Sequence, residues 1–385
     1  MGVPRETFPG ESRVALTPPV LPALTKGGLD VIVESGAGVA AGFTDDAYVA
    51  HGARVGTRDE VFAADVVAQV RTCGANLEKG REDVERMHPD QAIVGMADCL
   101  VCPVGVSQAA KAKILAFALD FMPRISRAQS MDVISSQMTV VGYKAVLMAA
   151  DRLPKMFPML TTAAGTVPPA QVFIVGAGVA GLQAIATARR LGAVVQGYDV
   201  RPAAQEDIES LGARAVLLPL DPGDAQDQSG YAKELGQAFY RRQQDFMAQV
   251  VQGVDVVITT ALIPGKKAPM LINAEAVAGM QSGSVIVDCA ADRGGNCELT
   301  RANHRVLTEN HVTILGPTNL AAHVPYEASL MYSKNMTSFL LHLVQEGRVD
   351  PDRDDEIIRG TLVARGGEVV HNRVVECLAE VGHVP

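Results

Sequence analysis

A short apolar segment that runs into a glycine-rich turn constrains the fold more than any other part of the chain. Residues 171–175 read QVFIV, the next six read GAGVAG, and an apolar segment with helical spacing follows. Strand, G-x-G-x-x-G turn and helix in this order predict the start of a doubly wound nucleotide-binding domain. We therefore expect a parallel sheet covered by helices and a site for a dinucleotide.

Each residue of the turn has a predicted task. Gly176 lets the strand turn sharply, Gly178 lets the backbone approach a pyrophosphate, and Gly181 lets the helix pack closely on the strand. Val179 and Ala180 open the helix, whose N-terminal N–H groups and dipole favour phosphate groups. The alternative is a buried helix–strand turn that binds no ligand.

Asp199 follows the next apolar segment, residues 194–198. At that position a carboxylate accepts hydrogen bonds from both hydroxyls of an adenine ribose and repels a 2′-phosphate. The sequence therefore predicts NAD rather than NADP, with Val200 beside the ribose. Arg201 leaves the alternative open, because its guanidinium could hold a 2′-phosphate.

Composition excludes several classes of protein. Hydrophobic residues make up 48% of the 385 residues and charged residues 20%, which is typical of a globular chain, and the net charge of −9 argues against nucleic acid as a partner. We expect no metal site, no secretory signal and no direct membrane insertion, and hence a cytoplasmic protein. Cys99 and Cys102 have C-x-x-C spacing, and a buried reduced pair is favoured over redox or metal chemistry.

Apolar and helical segments alternate along most of the chain, which predicts an α/β fold of two doubly wound, Rossmann-like domains with a cleft between them. The NAD-binding domain is expected at 136–316, and a discontinuous N-terminal domain at 1–135 plus 317–385. Predicted strands of the NAD-binding domain are 171–175, 194–198, 214–218, 254–259, 284–289 and 312–315, with helices at 179–191, 231–250 and 270–280. Predicted elements of the other domain are strands near 29–34, 65–70 and 92–96, a long helix at 327–345 and short strands at 361–363 and 368–370.

Two polar segments stand out from this pattern. Residues 221–230 read DPGDAQDQSG and are followed by Tyr231, which predicts either a mobile lid or an insertion without function. Residues 124–132 read RISRAQSMD, and their arginines, glutamine and aspartate could orient a nicotinamide carboxamide. Solvated charges at a linker are the alternative for this second segment.

The run RISRAQSMDVISSQ at 124–137, with the glycine turn, resembles the NAD(H)-binding component of proton-translocating nicotinamide nucleotide transhydrogenases. The resemblance extends to PRETFPGESRVALTP near the start, SGYAKELG, TTALIPGKKAP and VDCAADRGGNC. Alanine dehydrogenases are a related family that shares the fold and the RVALTP segment. The resemblance thus covers essentially the whole chain.

Roles for individual residues are implied by this resemblance. Arg124, Gln129 and Asp132 would hold the nicotinamide and shape the surface that faces the NADP(H)-binding component, and Ser135 would contact the carboxamide. Tyr231 would close over bound nucleotide, and Asp199 with the three glycines would bind ribose and pyrophosphate. The remaining residues expected near the cofactor are Thr260, Ala261, Leu262 and Asn296.

The implied reaction is direct hydride transfer from NADH on this chain to NADP⁺ on a partner subunit. That transfer would drive proton movement through a membrane-spanning subunit, which holds this chain at the inner (plasma) membrane as a peripheral homodimer. No proton moves at the reacting carbons, so the site needs positioning groups rather than a general acid or base.

An alanine dehydrogenase-like enzyme is the main alternative. Arg13 stands where that family keeps a carboxylate-binding arginine, and Asp292 lies in a segment that resembles its catalytic aspartate region. Gln69, however, occupies the apparent lysine position, and residues 91–102 contain no histidine. Arg13 and Asp292 are therefore interpreted as scaffold, and an NAD-binding subunit without turnover remains a further alternative.

Overall fold

Two units make up the chain in the computed structural model, which describes residues 1–218 and 237–380. Unit 1 contains Met1–Gln137 and Ala321–Pro385, and unit 2 contains Met138–Leu320. Nearly all the apolar segments that predicted strands are buried, because each strand of a parallel sheet is covered on both faces. The predicted α/β class with two Rossmann-like domains is confirmed.

The first half of unit 1 alternates short strands and helices. Its strands are β1 (Gly2–Val3), β2 (Ile32–Glu34), β3 (Arg54–Gly56), β4 (Val66–Arg71), β5 (Ala92–Met96) and β6 (Leu115–Ala118). Its helices are α1 (Leu21–Lys26), α2 (Asp45–Ala50), α3 (Arg58–Phe62), α4 (Leu77–Val84) and α5 (Pro103–Lys111), with 3₁₀ helices at Pro18–Val20, Val39–Ala41, Leu119–Phe121 and Ser126–Met131.

Helix α6 (Val133–Arg152) leads into the strands and helices of unit 2. The strands are β7 (Leu160–Thr162), β8 (Gly165–Val167), β9 (Gln171–Val175), β10 (Val194–Tyr198), β11 (Arg214–Ala215), β12 (Val256–Thr259), β13 (Val285–Asp288), β14 (Arg305–Leu307) and β15 (Thr313–Leu315). The helices are α7 (Val179–Arg190), α8 (Ala204–Ser210), α9 (Gln237–Val251) and α10 (Ala274–Ala278), with a 3₁₀ helix at Ala291–Arg293. A further 3₁₀ helix, Leu320–His323, lies where the chain passes back to unit 1.

The chain then returns to unit 1. Its last elements are α11 (Pro325–Leu343), β16 (Val344–Gln345), β17 (Arg348–Val349), α12 (Glu356–Thr361), β18 (Leu362–Arg365), β19 (Glu368–Val369) and α13 (Asn372–Glu380). The predicted long helix and the two predicted tail strands are confirmed, with bounds shifted by a few residues.

The sheet of unit 2 has the strand order β11-β10-β9-β12-β13-β15-β14 in the described residues. All six predicted strands are present, and they are parallel to one another. The prediction missed β14, which pairs antiparallel with β15 at the edge and is only partly buried. Strand order reverses between β9 and β12, and ligands of open α/β sheets bind at the carboxyl ends of strands at such a switch point.

The sheet of unit 1 has the order β19-β18-β6-β5-β4-β1-β2-β3 in the portion of the chain that the structure describes. Its six N-terminal strands are parallel, whereas β18 and β19 add an antiparallel edge. Helix α11 supplies Tyr332, Met336 and Phe339 to one core of this unit. The returning segment therefore completes both the sheet and the core of unit 1.

Among the described residues, α6 is the one helix long and apolar enough to cross a membrane by length and composition. The sequence expectation did not single it out, because polar residues interrupt its apolar run. Within unit 2 this helix packs closely on α7: a Cβ added to Gly142 would lie 2.1 Å from the Ala180 carbonyl oxygen. Such close helix–helix packing is typical of a core helix.

Candidate dinucleotide-binding site

The glycine turn joins β9 to α7 at the switch point of unit 2. Gly176 has φ +98°, a conformation that L side chains rarely adopt, and its N–H donates to the Tyr198 carbonyl oxygen at 2.8 Å. A Cβ added to Gly181 would lie 1.7 Å from the Gly176 carbonyl oxygen. The turn and the contact between helix and strand thus both require glycine.

Gly178 differs from its two neighbours in the motif. A Cβ added there would meet no described heavy atom within 4 Å, and its φ of −78° is open to any residue. Gly178 is the N-cap of α7 and has no side chain to cap the N–H groups of Val179, Ala180 and Gly181. The first turn of the helix therefore presents backbone donors beside open space, which is the arrangement that a pyrophosphate needs.

Asp199 is bonded directly to this turn. Its Oδ2 accepts from the Ala177 N–H at 2.7 Å and from Arg201 Nη2 at 3.0 Å. Its Oδ1 accepts from the backbone N–H of Arg201 at 2.8 Å and from Nε at 2.9 Å. These hydrogen bonds raise the pKa of the Arg201 guanidinium above its ordinary value. A ribose hydroxyl can reach this carboxylate only by replacing or sharing the bonds of Arg201.

A cavity of about 260 Å³ lies beside Asp199. Asp199, Arg201 and Gln205 supply polar groups to its lining. Its apolar lining includes Ile208, Val216, Leu217, Leu218 and Phe239. A cavity that combines apolar side chains with a few polar groups suits a flat aromatic base attached to a ribose.

Thr260, Ala261 and Leu262 follow β12, the strand on the other side of the switch point. Thr260 Oγ1 donates to the Gly176 carbonyl oxygen at 3.1 Å, so this segment lies against the glycine turn. The Ala261 N–H donates to Asn296 Oδ1 at 3.1 Å. Leu262 is exposed, whereas Asn296 is fully buried. The structure thus brings these four predicted residues together in unit 2.

In unit 1, the predicted 124–135 segment forms the 3₁₀ helix Ser126–Met131 and the start of α6. Ala128 and Met131 anchor it in the core, whereas Arg124 and Gln129 are exposed. Its backbone and side chains are also tied to the returning segment. Asn335 Nδ2 donates to the Ser130 carbonyl oxygen at 2.8 Å, and Arg127 Nη1 donates to Asp355 Oδ2 at 3.1 Å.

Asp132 and Ser135 are in direct contact. Asp132 Oδ1 accepts from the Ser135 N–H at 2.9 Å, and Oδ2 accepts from the Ser135 hydroxyl at 2.5 Å. Asp132 therefore caps the N-terminus of α6. Capping fixes the carboxylate next to the exposed face of the segment, a role that the sequence pattern did not indicate. Tyr231 and residues 221–230 lie outside the described residues.

The residues of the alternative enzyme are engaged with other side chains. Arg13 is buried, and its Nε and Nη2 donate to Glu11 at 2.7 Å each while Nη1 donates to Gln137 Oε1 at 2.7 Å. Gln69 is buried and donates to Asp83 Oδ2 at 2.9 Å. Asp292 is exposed, on the 3₁₀ helix Ala291–Arg293 of unit 2.

The pKa values of Glu11 and Glu6 are shifted in opposite directions. Burial by itself raises the pKa of Glu11, but the contacts with Arg13 outweigh it and hold the value at about 2. Glu6 is partly buried, and its carboxyl oxygens accept from the N–H groups of Val70 and Arg71 at 2.6 and 3.2 Å. Burial, followed by the charge of Glu11, raises the pKa of Glu6 to about 8.

The cysteine pair is reduced in the structure. Cys99 is fully buried and Cys102 is partly buried. Burial raises the pKa of the Cys99 thiol well above its ordinary value, so the reactive thiolate is scarce near neutral pH. In the described residues, no group of three or more His, Cys, Asp or Glu side chains could hold a metal ion.

Comparison with known proteins bears on the whole chain. Models of the N-terminal and C-terminal domains of alanine dehydrogenase/PNT match residues 2–141 and 145–372. An NAD(P) transhydrogenase subunit alpha chain of Rhodospirillum rubrum is 43% identical over 383 residues, which cover 96% of this chain and 97% of that protein. Alanine dehydrogenase of Methanococcus maripaludis is 31% identical over 388 residues, covering 98% and 95%.

A solved structure agrees with the first of these relatives. The crystal structure of transhydrogenase from Sinorhizobium meliloti matches with a TM-score of 0.82 and 39% identity, covering 96% of this chain and 98% of that one. The resemblance inferred from the motifs is thereby confirmed.

Proposed function

The chain belongs to the alanine dehydrogenase/PNT family, and on that premise we propose that it is the NAD(H)-binding subunit of a proton-translocating transhydrogenase. The glycine turn bonded to Asp199 carries the proposal, because it joins a pyrophosphate cradle to a ribose acceptor in one rigid unit. The greater identity to a transhydrogenase subunit than to an alanine dehydrogenase supports the choice within the family.

Binding is assigned to the switch point of unit 2. The N–H groups at the start of α7 would hold the pyrophosphate, and Asp199 would accept the hydroxyls of the adenine ribose. The apolar cavity beside Asp199 would take the adenine. The turn after β12 borders the same switch point. In a doubly wound sheet this side would hold the nicotinamide half of the dinucleotide.

When bound, NADH supplies a hydride that NADP⁺ on the partner subunit accepts. The residues of unit 1 would act by positioning: Arg124 and Gln129 are exposed and carry groups that can bond a carboxamide, and Asp132 is fixed by its capping bonds to Ser135. No general acid or base is needed, since hydride transfer moves no proton at the reacting carbons. Rates then depend on distance and orientation.

Amino-acid dehydrogenation is disfavoured by the contacts of Arg13. A substrate carboxylate would have to displace Glu11, whose two oxygens already accept from the Arg13 guanidinium. Glu11 also accepts from Arg71 Nε at 3.0 Å, so the Arg13–Glu11 pair is part of an ion-pair network that a substrate would have to disrupt. Gln69 also lacks the titratable amine that the chemistry requires.

The remaining elements of the proposal concern assembly. Partner subunits would bind NADP(H) and span the membrane, and this chain would be a peripheral protein at the inner (plasma) membrane, facing the cytoplasm. The β7–β8 hairpin supports a homodimer. It forms a two-stranded sheet of its own in the described residues and carries the exposed apolar side chains of Met159 and Val167, which a second copy would cover.

Reconstitution tests the function. The purified chain is mixed with the NADP(H)-binding partner subunit, NADH and thio-NADP⁺, and absorbance reports reduction of the analogue. We expect reduction that depends on both subunits, and no NADH formation from L-alanine and NAD⁺. Alanine oxidation without analogue reduction would instead establish the dehydrogenase.

Two substitutions test the positioning role in the same assay. Arg124→Ala and Asp132→Asn should each lower the transfer rate at least tenfold while the Kd for NADH changes less than threefold. Asn is itself a good N-cap, so Asp132→Asn should leave α6 intact. Arg81→Ala, an exposed arginine on α4, is the control and should leave both quantities unchanged. Equal losses of rate and affinity would contradict positioning.

A further inference from the structure

Asp288 is a buried carboxylate at the carboxyl end of β13 that the sequence did not single out. It is fully buried, at 0% exposure. Its oxygens accept five hydrogen bonds, from Thr259 Oγ1 at 2.9 Å, Ala290 N at 3.0 Å, Asn296 N at 2.8 Å, Cys297 N at 3.0 Å and Thr300 Oγ1 at 2.7 Å. Asp288 therefore fixes the course of the loop that follows β13 and carries Asn296.

The side-chain amide of Asn296 is in turn committed to backbone groups. Its Oδ1 accepts from the Ala261 N–H at 3.1 Å, and its Nδ2 donates to the carbonyl oxygens of Ala261 and Pro269 at 2.9 Å each. Both amide hydrogens are thereby used, and the residue is fully buried. Asn296 holds both backbone groups of Ala261 rather than reaching outward.

Ala261 lies at the wall of the switch point. A Cβ on Gly176 would be 2.7 Å from Thr260 Oγ1 and 3.1 Å from the Ala261 nitrogen, so the two turns touch. In a doubly wound sheet the two halves on either side of the switch point bind the two halves of a dinucleotide. The 260–262 turn belongs to the β12 half, opposite the half that carries Asp199.

We infer that Asp288 and Asn296 form a positioning relay that holds the 260–262 turn against the nicotinamide half of the bound dinucleotide. Both are positioning residues, since neither reaches the ligand itself. The inference rests on the proposed function, because it assumes that NAD(H) occupies this switch point. The inference also makes a distinction between the two halves of the ligand: the relay should strengthen binding of the nicotinamide half and leave binding of the adenosine half unaffected.

The test compares ligands on Asn296→Asp, which keeps the shape of the side chain but removes the two donated hydrogen bonds. Asn310→Asp is the matched control, because Asn310 also donates to backbone carbonyls of unit 2, those of Val277, Ala278 and Met280. Calorimetry gives the Kd for NADH and for AMP, which contains only the adenosine half. Thermal unfolding is measured on each variant.

For Asn296→Asp we expect at least a tenfold rise in the Kd for NADH and less than a twofold change for AMP, with the control unchanged for both. Thr300→Val, which removes one of the five hydrogen bonds to Asp288, is the second variant to test if Asn296→Asp fails to fold. It should raise the Kd for NADH about threefold and leave the Kd for AMP unchanged. Unchanged NADH affinity, or equal losses for both ligands, overturns the relay. Failure of the wild-type protein to bind NADH would instead overturn the proposed function.

Discussion

Replacing Asp199 with alanine should reverse the preference of the site between NADH and NADPH. The variant removes the ribose acceptor, and the Arg201 guanidinium loses its hydrogen bonds to Asp199. A guanidinium at this position can then pair with a 2′-phosphate, which the wild-type carboxylate repels. One substitution therefore weakens one ligand and strengthens the other.

The magnitude follows from the contacts. Two ribose hydroxyls bonded to a carboxylate contribute about 1.5–3 kcal/mol each, and the bonds that Arg201 gives up offset about half, leaving about 1.5–3 kcal/mol for NADH. A phosphate about 4 Å from a guanidinium gains about 4 kcal/mol at an effective dielectric of about 20, which partial exposure of Arg201 reduces to about 2 kcal/mol. The NADH-to-NADPH affinity ratio should thus fall by about a thousandfold.

Fluorescence titration of NADH and NADPH measures both Kd values on the same samples. Asp255→Ala is the matched control, because Asp255 is equally buried in its ion pair with Lys155 but lies at the amino end of the sheet, beside Gln171. That control should change neither preference. An Asp199→Ala protein that keeps the wild-type ratio would refute the assignment of Asp199 to the ribose.

Two further predictions concern glycine and pH. Gly178→Ala should leave the melting temperature unchanged and raise the Kd for NADH at least tenfold, since its Cβ enters the space assigned to the pyrophosphate. Gly181→Ala should instead destabilise the fold by about 1–3 kcal/mol, because its Cβ meets the Gly176 carbonyl. If both variants melt alike, this division of roles is wrong. Burial raises the pKa of Glu6 to about 8, so the folded state keeps a proton that the unfolded state releases above about pH 4.5. The free energy of unfolding therefore falls as the pH rises toward 8. Urea unfolding between pH 5 and 8 measures this. The free energy of unfolding of the wild type should fall by about 3 kcal/mol relative to that of Glu6→Gln. Parallel pH profiles of the two proteins would count against a protonated Glu6.

Local patterns predicted most of the fold. The apolar runs of β9, β10, β12 and β13 are long enough to be recognised, and a parallel sheet needs such runs because both of its faces are covered. Short or half-exposed elements carried no such signal, and β14, with exposed Arg305 and Leu307, was missed for that reason.

The candidate site likewise contains residues that the sequence predicted and residues that it did not. The glycine turn and Asp199 are readable from the sequence, because the motif spans one strand, one turn and the next strand, and its requirements on backbone conformation fall on single residues. Asp288, by contrast, acts through bonds to Thr259 and Thr300, and Arg13 is held by Gln137 from a distant region of the chain. Which donors meet a buried carboxylate depends on strand order and on the course of the loops.

The sequence by itself determined the doubly wound architecture, the nucleotide turn and the acidic residue paired with it, since each depends on interactions between near neighbours in the chain. Tertiary structure decided that Asn296 holds Ala261, that Asp288 accepts a hydrogen bond from Thr259, and that Gln137 accepts one from the buried Arg13. Buried polar groups must find partners wherever the fold brings them, and no local pattern specifies which partners those are.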